Sequence, residues 1–235
     1  MSYILAFDTA MSGCSVVVFD TATGKAVSET RAMVRGQSEL LVPMVDAAVD
    51  RAGITFQDLS LIVTTIGPGA FTGLRIGLSA ARSFALALGI PVAGVTTTEV
   101  LAKKFFNDRN GIGGDLLVLI ETKRTDLYFQ PFGGAGNALA EAGVAPITAL
   151  RERFGGQAIS ICGDGVSRCR AELGADWPSS WMVAEGYDLP DAVVMAQLGA
   201  EQQKAGLLKP AEPLYLRDAD VSVSTRPVRT IAGQQ

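Results

Sequence analysis

Leu61-Ile62-Val63-Thr64-Thr65-Ile66-Gly67-Pro68-Gly69-Ala70-Phe71-Thr72-Gly73-Leu74-Arg75-Ile76-Gly77 is the stretch on which the architecture turns. Its first six residues are apolar and β-branched and read as a buried strand. Gly67-Pro68-Gly69 breaks that strand into a loop. From Thr72 the apolar residues return at helical spacing as far as Leu88, where Gly89 and then Pro91 stop the helix. Pro91 to Val95 is a further strand. A strand, a helix and a strand in that order make a crossover between parallel neighbours.

Upstream, Tyr3 to Phe7 is a short apolar run ending at Asp8-Thr9, Cys14 to Phe19 is a Val-rich strand, and Ala26 to Val34 is a third. Thr21-Ala22-Thr23-Gly24 marks a turn, so these three strands form an antiparallel meander. Ser38 is placed to cap a helix reaching Ala52, with Gly53 as its stop. Pro43 predicts a lost bond or a bend near its start. Thr55 to Asp58 has the pattern of a capping box, and Thr96-x-x-Glu99 repeats it before a helix to about Phe106. The first half reads β-β-β-α-β-α-β-α, a mixed sheet flanked by helices. That is the order of the ribonuclease-H-like lobe on which actin-like ATPases are built.

Asn, Asp and Gly crowd residues 107–114, which puts a lobe boundary there: residues 1–110 form an N-terminal lobe and 111–217 a C-terminal one. The second holds strands at 116–121, 127–132 and 157–162, a short helix at 148–154 and a long one at 191–205, which is free to pack back on the first lobe. Residues 213–216 read as extended and 218–235 as a tail. No internal repeat is apparent.

The chain has 235 residues, of which 48% are hydrophobic and 19% charged, enough apolar content for two lobes of about 100 residues each. The net charge is −4 and no Lys/Arg run is present, so this chain does not supply most of a grip on nucleic acid. The three cysteines are odd in number and lack a C-x-x-C pair, which fits a reducing compartment. No basic leader or long apolar run is seen, and Phe84 to Val95 is too short to span a bilayer. A cytoplasmic protein without a membrane segment is expected. There is no histidine at all. That removes the usual neutral-pH base, the Ser–His and Cys–His pairs, and any His-ligated metal. A carboxylate, lysine or thiolate is left to act in their place.

Two segments invite a phosphate. Asp8-Thr9, followed by Ser12-Gly13-Cys14-Ser15, is a strand end and a tight turn whose N–H groups can cradle an anion. It reads more simply as an aspartate capping its own turn, since short Gly/Ser turns are common. The block Gly67, Gly69, Thr72, Gly73 lies between strand and helix, where free N–H groups favour an anion. It lacks the Gly-Lys-Ser/Thr ending of a Walker A loop. Gly73 and Gly77, four apart on one helix face, also suit close approach of another element with no ligand. A third segment is Arg35-Gly36-Gln37-Ser38-Glu39, leading into an apolar stripe. Leu40, Leu41, Met44, Val45 and Ala48, with Leu74, Ile76, Leu78 and Ala81 of the second helix, are the candidates for a partner-facing apolar surface. Each helix must also cover its own sheet, so the set is larger than the true surface. Val45→Asp is the substitution expected to abolish pairing.

Taken together, Ile4 to Ala10, Cys14-Ser15-Val16, the Ser38-Glu39 helix, the Gly67 to Gly77 block, Ile120 to Tyr128 and Ala211 to Arg217 resemble the TsaB (YeaZ) family. The chain departs from the family pattern at Gln37, where His is frequent, at Ala70, where Ser is usual, and at Glu121-Thr122-Lys123, in place of Asp-Ala-Arg. The resemblance implies an actin-like two-lobed fold and a non-catalytic subunit. Its partner is TsaD, a paralogue whose histidine pair holds a metal, in the complex that makes N6-threonylcarbamoyladenosine beside the anticodon of tRNAs reading A-starting codons. It also implies a TsaE homologue as a further partner, a homodimer when alone, tRNA contact only through the complex, and no cofactor of its own, with ATP or ADP placed at the interface with TsaD. Competing readings are an actin-like ATPase or small-molecule kinase, a glycoprotease-like peptidase, which the missing histidines oppose, and a generic interaction module.

Overall fold

Alternating burial along the first strand sets the layout. Leu5 and Phe7 face one side of it and Ile4 and Ala6 the other, all fully buried, so helices must cover both faces. The computed structural model describes residues 2–109 and 114–217. The expected tail 218–235 lies outside the described residues.

The first half runs β1 (Tyr3–Asp8), β2 (Gly13–Asp20), β3 (Ala26–Ala32), α1 (Gln37–Ala52), a 3-10 turn (Phe56–Asp58), β4 (Leu59–Gly67), α2 (Phe71–Leu88), β5 (Val92–Thr96) and α3 (Thr97–Asp108). The second runs β6 (Leu116–Glu121), β7 (Asp126–Phe132), β8 (Gly143–Pro146), α4 (Ile147–Phe154), β9 (Ile159–Cys162), α5 (Val166–Leu173), a 3-10 turn (Gly174–Asp176), β10 (Trp181–Val183) and α6 (Ala192–Ala205). Each half makes a five-stranded sheet, β3-β2-β1-β4-β5 and β8-β7-β6-β9-β10. In both, the first three strands are antiparallel and the last two join in parallel. The mixed α/β class expected from the sequence is the one observed. The winding recurs in the two halves, while the residues that build it do not.

The local signals act as read in most places. Gly53 ends α1 at φ 68°, and both capping boxes form. Pro43 sits inside an uninterrupted α1. Ser38 is not the cap; Gly36, at φ 96°, is the N-cap, because the chain turns into the helix through a left-handed residue that only glycine adopts freely. Three elements were not foreseen: β8, α5 and β10, of four, eight and three residues, too short to show a period.

α1 and α2 cover one face of the first sheet, burying Leu41, Met44, Val45 and Ala81 against Leu5, Phe7, Val16 and Ile62. α4 and α5 do the same for the second sheet through Leu150, Phe154 and Cys169. The remaining faces are covered by exchange. α6, from the end of the chain, lies on the first sheet, where Ala192, Met195 and Ala196 meet Ile4, Ala6, Val17 and Val63. α3, from the first half, lies on the second sheet, where Leu101, Phe105 and Phe106 meet Leu116, Val118 and Ile120. Gly199 permits this closeness, since a Cβ there would fall onto Val63. Each fully buried Leu or Phe in these layers contributes about 1.5–3 kcal/mol.

After α6 the chain becomes an extended strap. Gly94 N–H of β5 donates to Lys209 O at 2.9 Å and Leu214 N–H donates to Ile66 O at 2.7 Å, so the strap covers the open side of β5. Arg217 then pairs with Asp126 at the start of β7. Among the described residues no helix is long and apolar enough to cross a membrane.

Candidate functional site

At the end of β1 the chain turns sharply through residues 9–12. Asp8 is 1% exposed. Its carboxylate accepts hydrogen bonds from Ala10 N–H at 3.0 Å and Thr65 Oγ1 at 2.5 Å. Burial outweighs these bonds and pushes its pKa up to about 6. The turn is pressed against the start of α2. Thr9 Oγ1 donates to Gly73 O at 2.7 Å, and Ala70 N–H donates to Ala10 O at 2.7 Å. A Cβ at Gly69 would stand 2.5 Å from Ala10 O, one at Gly77 2.9 Å from Thr9 Oγ1, and one at Gly73 would land on the Thr9 carbonyl.

These contacts give the glycines a packing role: they let backbone meet backbone. Of the turn's amides, that of Ala10 is drawn onto the Asp8 carboxylate itself. Gly67 ends β4 at φ 111°, with Leu214 O of the strap 3.1 Å from where its Cβ would be. Of the six candidates Thr9, Gly69, Thr72 and Gly73 line a cleft of about 540 Å³ between the halves, and Thr72 is the exposed one. The cleft carries charges of both signs, Arg35 and Lys123 with Glu121 and Asp164. Glu121 accepts from Arg168 Nε at 2.8 Å, and Asp164 accepts from Glu121 N–H at 2.9 Å while burial pushes its pKa up to about 6.

The nine candidate interface residues also divide. Leu41, Met44, Val45, Ala48, Leu74, Leu78 and Ala81 are buried, and Leu40 and Ile76 are half-buried. The apolar stripe of an amphipathic helix turns to its own sheet first, so those seven are corrected from outward contacts to core. What faces away is different: Val42 is 52% exposed and Phe71 44%. Together with Ile76, Ser79 and Ala80 they line an open groove of about 570 Å³ between α1 and α2. Val42 was missed because it lies off the stripe. Its signal is that it is apolar among Glu39, Pro43, Asp46 and Ala47 on the outer side. Ser79, Ala80 and Ser83 are small, which lets another helix approach closely.

Comparison with known proteins gives the affiliation. The family model described as "TsaD: tRNA N6-adenosine threonylcarbamoyltransferase" matches residues 31–179, more than half of the chain. The Escherichia coli "tRNA threonylcarbamoyladenosine biosynthesis protein TsaB" is 28% identical over 227 residues, covering 92% of this chain and 94% of that one. A protein of the same name from Buchnera aphidicola is 33% identical over 129 residues, 55% of this chain and 60% of the relative's length. The solved structure of YeaZ from Pseudomonas aeruginosa superposes with a TM-score of 0.78 at 25% identity, covering 92% of this chain and 100% of that one. With the family model matched over more than half of the chain and YeaZ superposing over its whole length, the chain belongs to the TsaB (YeaZ) family.

Proposed function

We propose that this protein is the non-catalytic docking subunit of the assembly that forms N6-threonylcarbamoyladenosine in tRNA, and that it holds a TsaD-type partner on the outer face of α1 and α2. The names of its Escherichia coli and Buchnera relatives support the pathway. The observation that carries the role is the groove between α1 and α2, apolar at Val42, Phe71 and Ile76 and floored by small residues. Helices of a partner nest into such a groove as ridges into grooves, each buried Å² of apolar surface adding about 25 cal/mol before the costs of association. The chain has no histidine, so a His-ligated catalytic metal belongs to the partner. In the partner's absence a second copy of the chain takes the same face, giving a homodimer. A TsaE-type ATPase and tRNA join through the complex, in the cytoplasm. An adenine nucleotide at the junction lies against the cleft lined by Thr9, Gly69, Thr72 and Gly73, with further phosphate donors from the partner.

Val42→Asp tests this. The side chain is half exposed, so the variant keeps the wild-type circular dichroism spectrum and melting behaviour. Expected is loss of co-purification with the TsaD-type partner, and tRNA modification at background in a reconstituted reaction. A folded variant that still pairs and supports modification sinks the proposal. Val45→Asp is not a valid substitute: Val45 is fully buried, and an unpaired charge there unfolds the lobe.

A further inference from the structure

Each sheet ends in two edge strands, β3 and β5 in the first and β8 and β10 in the second. Among the described residues three of these edges are blunted. The strap lies along β5, taking the Gly94 N–H onto Lys209 O. β8 is four residues long and ends at Pro146, and β10 is three residues long. Cover, proline and shortness are the ordinary ways of closing an edge to further strands. β3 has none of them. It is seven residues long, holds no proline, and pairs with β2 in an unbroken register from Ala26 to Ala32.

Hydrogen bonds just beyond its two ends fix which way its backbone points. Asp20 N–H donates to Lys25 O at 2.9 Å, and Met33 N–H donates to Ser12 O at 3.0 Å. In an antiparallel ladder the inward and outward groups alternate residue by residue. Val27, Glu29 and Arg31, in step with Lys25 and Met33, therefore turn their N–H and C=O groups to β2. Ala26, Ser28, Thr30 and Ala32 turn theirs away from the sheet, and all four are exposed.

Such a row is a template for one more strand, and the side chains select which. An edge charged with one sign repels its own copy. This edge carries both signs, Glu29 and Arg31, held together at 2.6 Å with Arg51 on the other Glu29 oxygen at 3.1 Å. Laid antiparallel on itself about a two-fold axis at Thr30, β3 sets Ser28 against Ala32, Thr30 against Thr30, and Glu29 against Arg31 on both sides of the axis. The outward residues 28, 30 and 32 then bond only to one another. The Glu29 and Arg31 side chains fall in the intervening positions, where opposed side chains are closest. An axis at Glu29 opposes two carboxylates, and an axis at Arg31 opposes two guanidinium groups, so charge favours the Thr30 register.

We propose that β3 is a self-association edge, through which a second copy of the chain adds its own β3 about a two-fold axis at Thr30 and joins the two first-half sheets into one. No residue of β3 lines the α1–α2 groove, so this contact is separate from the docking face proposed above. The test uses the full-length chain carrying Val42→Asp, which takes away pairing through the groove, in sedimentation velocity over a series of concentrations. Expected is a monomer–dimer equilibrium. Thr30→Pro, added to that chain, removes an outward N–H and no bond to β2, a place where an edge strand tolerates proline. It is expected to weaken the dimer about tenfold, since each copy loses one hydrogen bond across the axis. Arg31→Glu sets Glu29 against a second carboxylate and is expected to weaken it similarly. Glu29→Arg together with Arg31→Glu exchanges the signs and is expected to recover the dimer, which a merely structural loss would not do. Circular dichroism checks that each variant is folded. A Val42→Asp chain that stays monomeric throughout, or dimers unaffected by both Thr30→Pro and Arg31→Glu, overturns the proposal. Co-purification of the Thr30→Pro chain, without Val42→Asp, with the TsaD-type partner reads the groove alone, so the two proposals fail separately.

Discussion

Asp8 is a carboxylate without water, and its protonation is tied to folding. Its pKa in the folded chain, about 6, is above the ordinary 3.8, so between these values the folded state binds more protons than the unfolded one. Stability contributed at Asp8 is therefore fullest below about pH 4 and falls as pH rises through about 6, by on the order of 3 kcal/mol at ~1.4 kcal/mol per unit. Asp164 shifts in the same direction for the same reason and adds to the slope. Asp8→Asn takes one titration away. Urea unfolding across this pH range is expected to show a shallower decline for the variant than for the wild type, and parallel profiles would contradict the assignment. The sequence shows Asp8 closing a strand before a tight turn, and both of its readings are visible there. What bears on them is the destination of the Thr9, Ala10 and Met11 N–H groups, which depends on a turn geometry that residue types alone do not specify.

α2 shows how an element's composition can be read while its neighbour stays hidden. Gly73 lies inside a helix, where replacement by Ala ordinarily adds about 0.5–1 kcal/mol of stability. Here the sign reverses, since the new methyl would fall on the Thr9 carbonyl and backbone would have to shift. Gly73→Ala is expected to lose about 2–4 kcal/mol, read as a lower denaturation midpoint. A midpoint at or above the wild-type value would show that the turn does not press on the helix. The spacing of Gly73 and Gly77 made close approach legible, but the element that approaches was not. The stripes of α1 and α2 likewise marked their buried faces correctly as apolar and wrongly as partner-facing, because periodicity identifies a face and not what it meets. Val42 and Phe71, the exposed apolar residues of the groove, carry no period of their own. α5, with Arg168, Arg170 and Glu172 in eight residues, offers too little apolar repeat to be seen.

For the molecule as a whole, the two halves share a winding and trade their last helices. Neither sheet can be finished by its own half. A fragment of residues 1–109 lacks α6 and leaves Ile4, Ala6, Val17 and Val63 largely uncovered. Expressed alone, it is expected to bind a hydrophobic dye and to melt without cooperativity, and to recover a sharp transition when mixed with residues 110–235. A cooperative transition from the fragment alone would mean that the exchange contributes little. The order of elements in the first half was legible from hydrophobic runs and turn residues. The recurrence of that order was not, because it resides in hydrogen-bonding direction and not in residue identity. The exchange also has a consequence during synthesis on the ribosome. All five strands of the first sheet have been made by Thr96, but the helix that closes its second face ends at Ala205. The intervening stretch of roughly a hundred residues takes on the order of 5–20 s at about 5–20 residues per second. Throughout that interval the nascent chain carries a broad greasy surface, an invitation to holding chaperones that the finished protein no longer extends.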